Sequence, residues 1–298
     1  MNTHTYAVRR SWPAPPGQGL AFSTLGSPGS STAEIVALAR RAGCRGIELR
    51  SAPGEAVSAG MDPAAVLRAS EQLAGAGVAV LAIASYVGLC APMPDDGADE
   101  QLADLRAQLE LAAAVGASGV RVFMRDETAG GADGPSEGER RALGRLSAVG
   151  ELCARLGVSV LIETHDSHSV GARLSAFCGL LDEEQPGHRC GVIWDTAHSW
   201  AQGEGPADTL RLLRPWLAYL QIKDVASRAA PEPVMLGTGG YPIAELADAV
   251  QAADWKGWIS LEWERAWHPD LPPMDVALAE TRTWARKLVD EMESNCDC

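Results

Sequence analysis

The 298-residue chain has no apolar run of about 18 residues, so no membrane-spanning helix is expected. Its first segment, Met1 to Gly19, carries Arg9 and Arg10 but no apolar stretch, and it continues as Trp12-Pro-Ala-Pro-Pro16. That is not the pattern of a secretory signal, and residues 1–18 are read as an extended arm. Basic residues are scarce: 25 Lys and Arg against 39 Asp and Glu leave a net charge of −14. A general nucleic-acid binder needs a positive footprint, so the charge argues against that class, without excluding a local basic patch, and the acidic surface is read as serving solubility. The seven cysteines are odd in number and lack zinc-finger spacing. Cys44, Cys90, Cys153, Cys178 and Cys190 sit in apolar contexts and are read as buried thiols. Cys296 and Cys298 form a C-x-C tail, read as a frayed end. Without a signal peptide, the cytoplasm is the expected compartment. Gly26-Ser-Pro-Gly29 does not match a G-x-G-x-x-G phosphate fingerprint, so a Rossmann sheet is set aside.

What is present is a regular alternation. Strand-like runs are read at Gly19–Ser23, Gly46–Arg50, Val78–Ala84, Gly119–Phe123, Val158–Glu163, Cys190–Asp195, Leu217–Asp224 and Trp258–Glu262. Between them lie amphipathic stretches with legible punctuation. Ser30-Ser-Thr-Ala-Glu34 reads as a capped helix start, and Asp62-Pro63 opens another. Gly43, Gly77 and Gly116 read as helix stops. Further helices are expected from about Asp99 to Val115, Glu139 to Leu156, Leu174 to Leu181, Pro206 to Leu213, after Tyr241-Pro242, and from Asp275 to Glu291, with a loop over Ala129 to Gly138. Eight strand–helix units imply parallel strands with right-handed crossovers, closed as a single α/β (β/α)₈ TIM barrel over residues 19–298. An apolar fraction of 46% is enough for its core.

Several of these runs end on groups that bind cations. Glu163, Asp195 and Glu262 each close a run, and Gln221 stands in Leu220-Gln-Ile-Lys-Asp224. In a parallel barrel these positions meet at the C-terminal rim, where such barrels do their chemistry. Three carboxylates and an amide there form a site for a hard divalent cation. Salt bridges at separate strand ends are the competing reading.

The segments Leu161-Ile-Glu163-Thr-His165, Ile193-Trp-Asp195-Thr-Ala-His198, Leu220-Gln-Ile-Lys-Asp224 and Ile259-Ser-Leu-Glu262-Trp-Glu264 resemble the xylose isomerase-like TIM barrel family. Gly46-Ile-Glu48-Leu-Arg50 and Leu236-Gly-Thr-Gly239 are similar to its second-strand and later loop signatures. The family includes ketose 3-epimerases, inosose dehydratases and isomerases, hydroxypyruvate isomerases and endonuclease IV. The resemblance implies one divalent ion, Mn, Mg or Co with Zn as a further option, held by Glu163, Asp195, Gln221 and Glu262. Many members carry His where Gln221 stands. A Gln carbonyl is a neutral oxygen donor that suits a hard ion and binds zinc less well.

The resemblance also implies an isomerase or epimerase, with a dehydratase or other lyase second. The substrate would be a small polyhydroxy ketone or aldehyde. The cation would polarise its carbonyl and stabilise an enediolate, while Glu163 and Glu262 move the proton. His198, His165, Lys223, Glu48 and Trp263 are the expected substrate-binding residues. Glu48 with Arg50 is otherwise an internal pair, and Lys223 otherwise pairs with Asp224 or a rim acid. His168 is a further loop histidine. Arg121 and Arg125 are read as solvated or ion-paired, with contact to an anionic group as the other option. Trp194, Trp200, Trp258 and Trp267 join Trp263 near the rim motifs as core or pocket aromatics. The expected partner is a small sugar or polyol, with no nucleic acid and no membrane; a homodimer is implied by resemblance alone.

Two other readings remain open. An endonuclease IV-like phosphodiesterase would need a trinuclear zinc cluster rich in imidazole, and the chain has six histidines. A non-catalytic sugar-binding barrel would bind ligand without turnover.

Overall fold

Ser31 and Ser136 start their helices by the same device. Each side chain accepts an N–H three residues on, and the Glu at that position reaches back to the serine N–H. Asp62 caps a third helix that has Pro63 in its first turn. At the other ends, Gly43, Gly116 and Gly157 turn into the left-handed region and stop their helices. These local signals cut the chain into alternating elements. The computed structural model describes residues 14–94, 97–128 and 134–294, with side chains described as far as residue 284. Residues 1–13 of the arm, 129–133 of the expected loop, and Cys296 and Cys298 lie outside the described residues.

Ten strands are described: β1 (Gly19–Ser23), β2 (Gly46–Arg50), β3 (Ala79–Gly88), β4 (Gly119–Phe123), β5 (Ser159–Glu163), β6 (Cys190–Asp195), β7 (Leu217–Ile222), β8 (Asp224–Val225), β9 (Pro233–Val234) and β10 (Trp258–Leu261). Eight of them close into a parallel barrel in the order β1-β10-β7-β6-β5-β4-β3-β2. β8 and β9 form a small antiparallel pair outside it. The helices are α1 (Thr32–Ala42), α2 (Pro63–Gly75), α3 (Glu100–Val115), α4 (Glu137–Leu156), α5 (Gly171–Glu184), α6 (Thr196–Ala201), α7 (Pro206–Leu213), α8 (Ile243–Ala252) and α9 (Met274–Ser294). The (β/α)₈ expectation is therefore met.

Some boundaries differ from the reading of the sequence. The Leu217–Asp224 run stops its barrel ladder at Ile222, because Asp224 pairs antiparallel with Val234. The helix expected at Leu174–Leu181 extends over Gly171–Glu184. Its first N–H groups, on Gly171 and Ala172, are taken by the Glu204 carboxylate, a distant cap that local sequence does not show. The α2 helix ends at Gly75 rather than Gly77.

Two apolar layers hold the barrel. The larger lies between strands and helices and includes Phe22, Ile47, Leu109, Ile162, Leu174 and Leu246. The smaller fills the barrel interior with Ala21, Leu81, Ala82, Leu161, Ile193, Ala218, Tyr219 and Trp258. Trp258 approaches β2 so closely that a Cβ on Gly46 would lie 2.9 Å from its ring. Both faces of every barrel strand are thus covered, as all-parallel sheets require.

Candidate active site

Side chains along a strand alternate faces, so positions two apart share the barrel interior. Leu161, Ile193 and Tyr219 belong to the inner apolar layer. Two residues further on stand Glu163, Asp195 and Gln221, and the next layer toward the rim is therefore polar. Asp195 is in register with Gln221, and Gln221 with Ser260. The Glu262 N–H extends the ladder beyond β10 by donating to the Ile222 carbonyl at 3.0 Å. All four expected ligands are buried, at 3% exposure or less.

Two cations lie among them. Lys223 Nζ is 2.9 Å from Asp195 Oδ2 and 2.9 Å from Glu262 Oε2, and it also pairs with Glu264 Oε1. Arg121 Nη1 is 3.2 Å from Glu163 Oε2 and 3.7 Å from Glu262 Oε1, and its Nη2 donates to the Ser85 carbonyl. Arg121 is thus buried and ion-paired, beneath the rings of Phe123 and Tyr86. Asp195 also caps α6, its Oδ1 accepting the N–H groups of Ala197 and His198. That cap leaves Oδ2 facing the cluster.

Glu48 reaches across the barrel from β2. Its carboxylate accepts from Tyr219 Oη at 2.8 Å, Gln221 Nε2 at 2.8 Å and Ser260 Oγ. It does not pair with Arg50, which instead donates to Glu55 and to Tyr86 Oη.

The charge balance is uneven. Five carboxylates (Glu48, Glu163, Asp195, Glu262 and Glu264) surround the two cations Arg121 and Lys223. Burial pushes the Glu163 carboxyl up to about 8, a rise that Arg121 only partly offsets. Burial likewise holds Asp195 well above the carboxylate range, despite Lys223. Burial also raises Glu262, but Lys223 and Arg121 outweigh it and keep its carboxyl below the usual range. Burial thus pushes Glu163 and Asp195 one way while Lys223 and Arg121 hold Glu262 the other. Burial and the adjacent Lys223 ammonium keep His198 neutral. Lys223 can only donate, so the His198 Nε2 3.2 Å from it is the acceptor, and the ring proton lies on Nδ1.

The donor atoms of Glu163, Asp195, His198 and Glu262 lie within 4.8 Å of one another, and Glu163, His165 and His198 form an overlapping set. Among the described residues, Gln221 Oε1, Glu163 Oε2 and Asp195 Oδ2 are buried oxygens without a hydrogen-bond partner. Two of these are met by cations, Asp195 Oδ2 by Lys223 and Glu163 Oε2 by Arg121, so Gln221 Oε1 is the one left with no partner, and a buried oxygen of that kind in a carboxylate-rich cluster fits a cation.

Above the cluster opens a cavity of about 280 Å³, lined by residues that include His165, His198, Lys223, Val225 and Glu264. The His165 ring stands 4.5 Å from Phe123 and 4.4 Å from His198, forming an aromatic wall. Larger clefts occur elsewhere, one of about 480 Å³ near the starts of β5 and β6. That end of a barrel serves stability rather than chemistry.

The remaining sequence candidates are dispersed. Trp263 is buried and its indole N–H donates to the Pro272 carbonyl, so it does not line the cavity. Trp267 is the exposed one, at 54%, and it stacks under the Arg50 guanidinium at 4.9 Å. His168 is buried against Glu139 and Ser167. Arg125 is half exposed and pairs with Asp166. Trp194 and Trp200 pack in the core, while Trp258 closes the lower end by donating to Pro16. Sequence reasoning assigned no role to Tyr219, Ser260 or Glu264. Their two-residue spacing from Gln221 and Glu262 was the available signal.

Comparison with known proteins identifies the fold and the family. The family model for the xylose isomerase-like TIM barrel matches residues 36–288. A 3-dehydroshikimate dehydratase of Bacillus anthracis is 27% identical over 108 residues, covering 36% of this chain and 37% of that protein. A putative hydroxypyruvate isomerase of Streptomyces coelicolor is 25% identical over 224 residues, covering 70% of this chain and 75% of the relative. Among solved structures, L-ribulose 3-epimerase superposes with a TM-score of 0.73 at 17% identity, covering 94% of this chain and 97% of that one. A probable 3-DHS dehydratase of Bacillus anthracis gives 0.68 at 20%, covering 88% and 98%. The IOLI protein with a bound zinc atom gives 0.70 at 15%, covering 92% and 98%. At such identities the structural likenesses show the fold. With the family model spanning most of the barrel, the chain belongs to the xylose isomerase-like TIM barrel family.

Proposed function

We propose that this protein is a metal-assisted isomerase or epimerase of small polyhydroxy ketones or aldehydes. The observation that carries this reading is the convergence of Glu163, Asp195 and Glu262, with Gln221 in register beside Asp195 and its Oε1 buried without a hydrogen-bond partner. These four residues would hold one divalent ion. When bound, it would supply Lewis acidity toward a substrate carbonyl.

The chain's own groups account for proton movement. Glu262, held ionised by Lys223 and Arg121, is the acceptor for a proton next to the carbonyl. Glu163, beside Arg121 on the other side of the cluster, is the group that returns a proton to the substrate. The two carboxylates come from strands β5 and β10, separated in the barrel by β6 and β7, so they reach the substrate from different sides. His198, kept neutral by burial and Lys223, and His165 stand at the cavity wall and bind substrate hydroxyls. A cavity of about 280 Å³ suits a small molecule.

A second reading has specific support. Lys223 Nζ and His198 Nε2 lie 3.2 Å apart at the cavity floor, a pair able to protonate a departing hydroxyl. Loss of the α-proton to Glu262 and of the hydroxyl as water would make the reaction a dehydration, the activity named for the Bacillus anthracis relative. A trinuclear phosphodiesterase has less support. Among the described residues, only His165 and His198 stand within ligand reach of Glu163, whereas His168 and His188 pair elsewhere and His268 meets only Glu264.

Proton exchange in D₂O tests the proposal. Protein loaded with manganese is incubated with a panel of ketoses, inososes and dehydroshikimate, and NMR follows deuterium at the α-carbon and any new alkene. Metal-dependent exchange, lost in Glu262→Gln and in Glu163→Gln, is expected. Absence of both metal binding and exchange across the panel would remove the reading.

A further inference from the structure

Gln221 carries an amide, which offers either an oxygen or an NH₂ to its surroundings. The choice between them is made by Glu48. Gln221 Nε2 donates to Glu48 Oε2 at 2.8 Å, and turning the amide over would set two acceptor oxygens against each other. Glu48 cannot move to accommodate the turn. It is fully buried, Tyr219 Oη holds the same Oε2 at 2.8 Å, and Ser260 Oγ holds Oε1. With the nitrogen engaged, Gln221 Oε1 is the atom left over, and it is a buried oxygen without a hydrogen-bond partner among the described residues.

We infer that Glu48 is a positioning residue that presents Gln221 Oε1 to the cation, adding an oxygen donor that favours manganese or magnesium over zinc. This rests on the metal reading above. The physical reason is donor hardness: carboxylate and amide oxygens suit hard ions, and imidazole nitrogen is what a zinc site would gain. Partners of metal ligands commonly set affinity by about 10–100-fold when they fix a ligand's orientation.

The experiment is manganese binding, followed by the EPR signal of the free ion, in a double-mutant cycle. Glu48→Leu is compared in the native chain and in the Gln221→Ala chain, with circular dichroism confirming each fold. A positioning role predicts a loss of about tenfold or more in the native chain and little further loss once Gln221 is absent. Equal losses in both backgrounds would mean that Glu48 acts only as a nearby charge, and would overturn the inference. Isosteric Glu48→Gln keeps an acceptor oxygen for Gln221, so in the native chain it is expected to lose much less than Glu48→Leu; an equal loss would assign the effect to charge and overturn the inference. Should Glu48→Leu fail to fold, Gln221→His decides. Its zinc-to-manganese affinity ratio is expected to rise about tenfold or more. An unchanged ratio would show that residue 221 does not touch the ion. Failure of the wild type to bind manganese at all would sink the metal reading itself. Binding without Glu48–Gln221 coupling would sink this inference alone.

Discussion

Lys223 Nζ lies 2.9 Å from Asp195 Oδ2, so an internal ammonium rests against one of the oxygens that a bound cation would use. The same ammonium meets Glu262 at 2.9 Å. Lysine and metal therefore compete for one set of carboxylates. Lys223→Met is expected to bind manganese more tightly, by about tenfold or more, because a unit charge a few ångströms away is worth kilocalories in a partly screened site. Turnover is expected to fall, since the same change removes the proton source beside His198. Calorimetric titration with manganese checks the first outcome; unchanged affinity would refute the competition.

Arg121 is the counter-charge for Glu163 and Glu262 within the barrel. Arg121→Leu leaves buried carboxylates unpaired, at an expected cost of about 3–5 kcal/mol in urea unfolding. Divalent metal is expected to raise the melting temperature more in this variant than in the wild type, because the cation replaces the lost charge. An equal rise in both would argue that Arg121 and the ion do not share a site.

Asp224 organises the loop over the barrel mouth. Its carboxylate accepts the N–H groups of Val225, Gly237, Gly239 and Tyr241. A Cβ at Gly239 would lie 2.3 Å from Asp224 Oδ1, so the loop closes only around a glycine. Asp224→Ala strands these donors and is expected to cost about 3 kcal/mol or more. Hydrogen exchange should quicken over residues 235–241 and remain slow in β5 and β6. Unchanged exchange there would remove the role.

His168 supplies a pH dependence of stability. Burial and nearby Arg173 hold its folded pKa below the ordinary 6.5, against the pull of Glu139. The unfolded chain takes up a proton at about pH 6.5 that the folded chain refuses until lower pH. Its contribution is therefore complete above pH 6.5 and is lost as pH falls toward the folded pKa. Urea unfolding between pH 7.5 and 5.5 should show a slope that flattens in His168→Gln. An unaltered slope would assign the dependence to other groups.

How much of this was legible in the sequence can be seen residue by residue. Ser31 with Glu34, and Pro63 after Asp62, act through neighbours one to three positions away, so their helix starts could be read directly. The ends of β5, β6 and β10 were equally legible, because an acid closing an apolar run breaks a local pattern. The start of α5 was not, since its cap is Glu204, more than thirty residues downstream. Glu48 and Arg50 lie two apart on β2, so local reading allowed a pair between them. The barrel separates them, sending Glu48 to Tyr219, Gln221 and Ser260 and Arg50 to Glu55 and Tyr86. Trp263 and Trp267 were equal candidates by spacing, and packing buried one and exposed the other.

By itself the sequence determined the alternation of strands and helices, the parallel barrel that follows from it, and the rim on which Glu163, Asp195, Gln221 and Glu262 stand. Each of these depends on periodicity and on short-range hydrogen bonding. Tertiary structure alone decided the partners: Lys223 between Asp195 and Glu262, Arg121 against Glu163, and Glu48 against Gln221. Those pairs join strands that are remote in the chain and meet only when the barrel closes. Burial within it then shifts the carboxyls and sets which oxygen is left free.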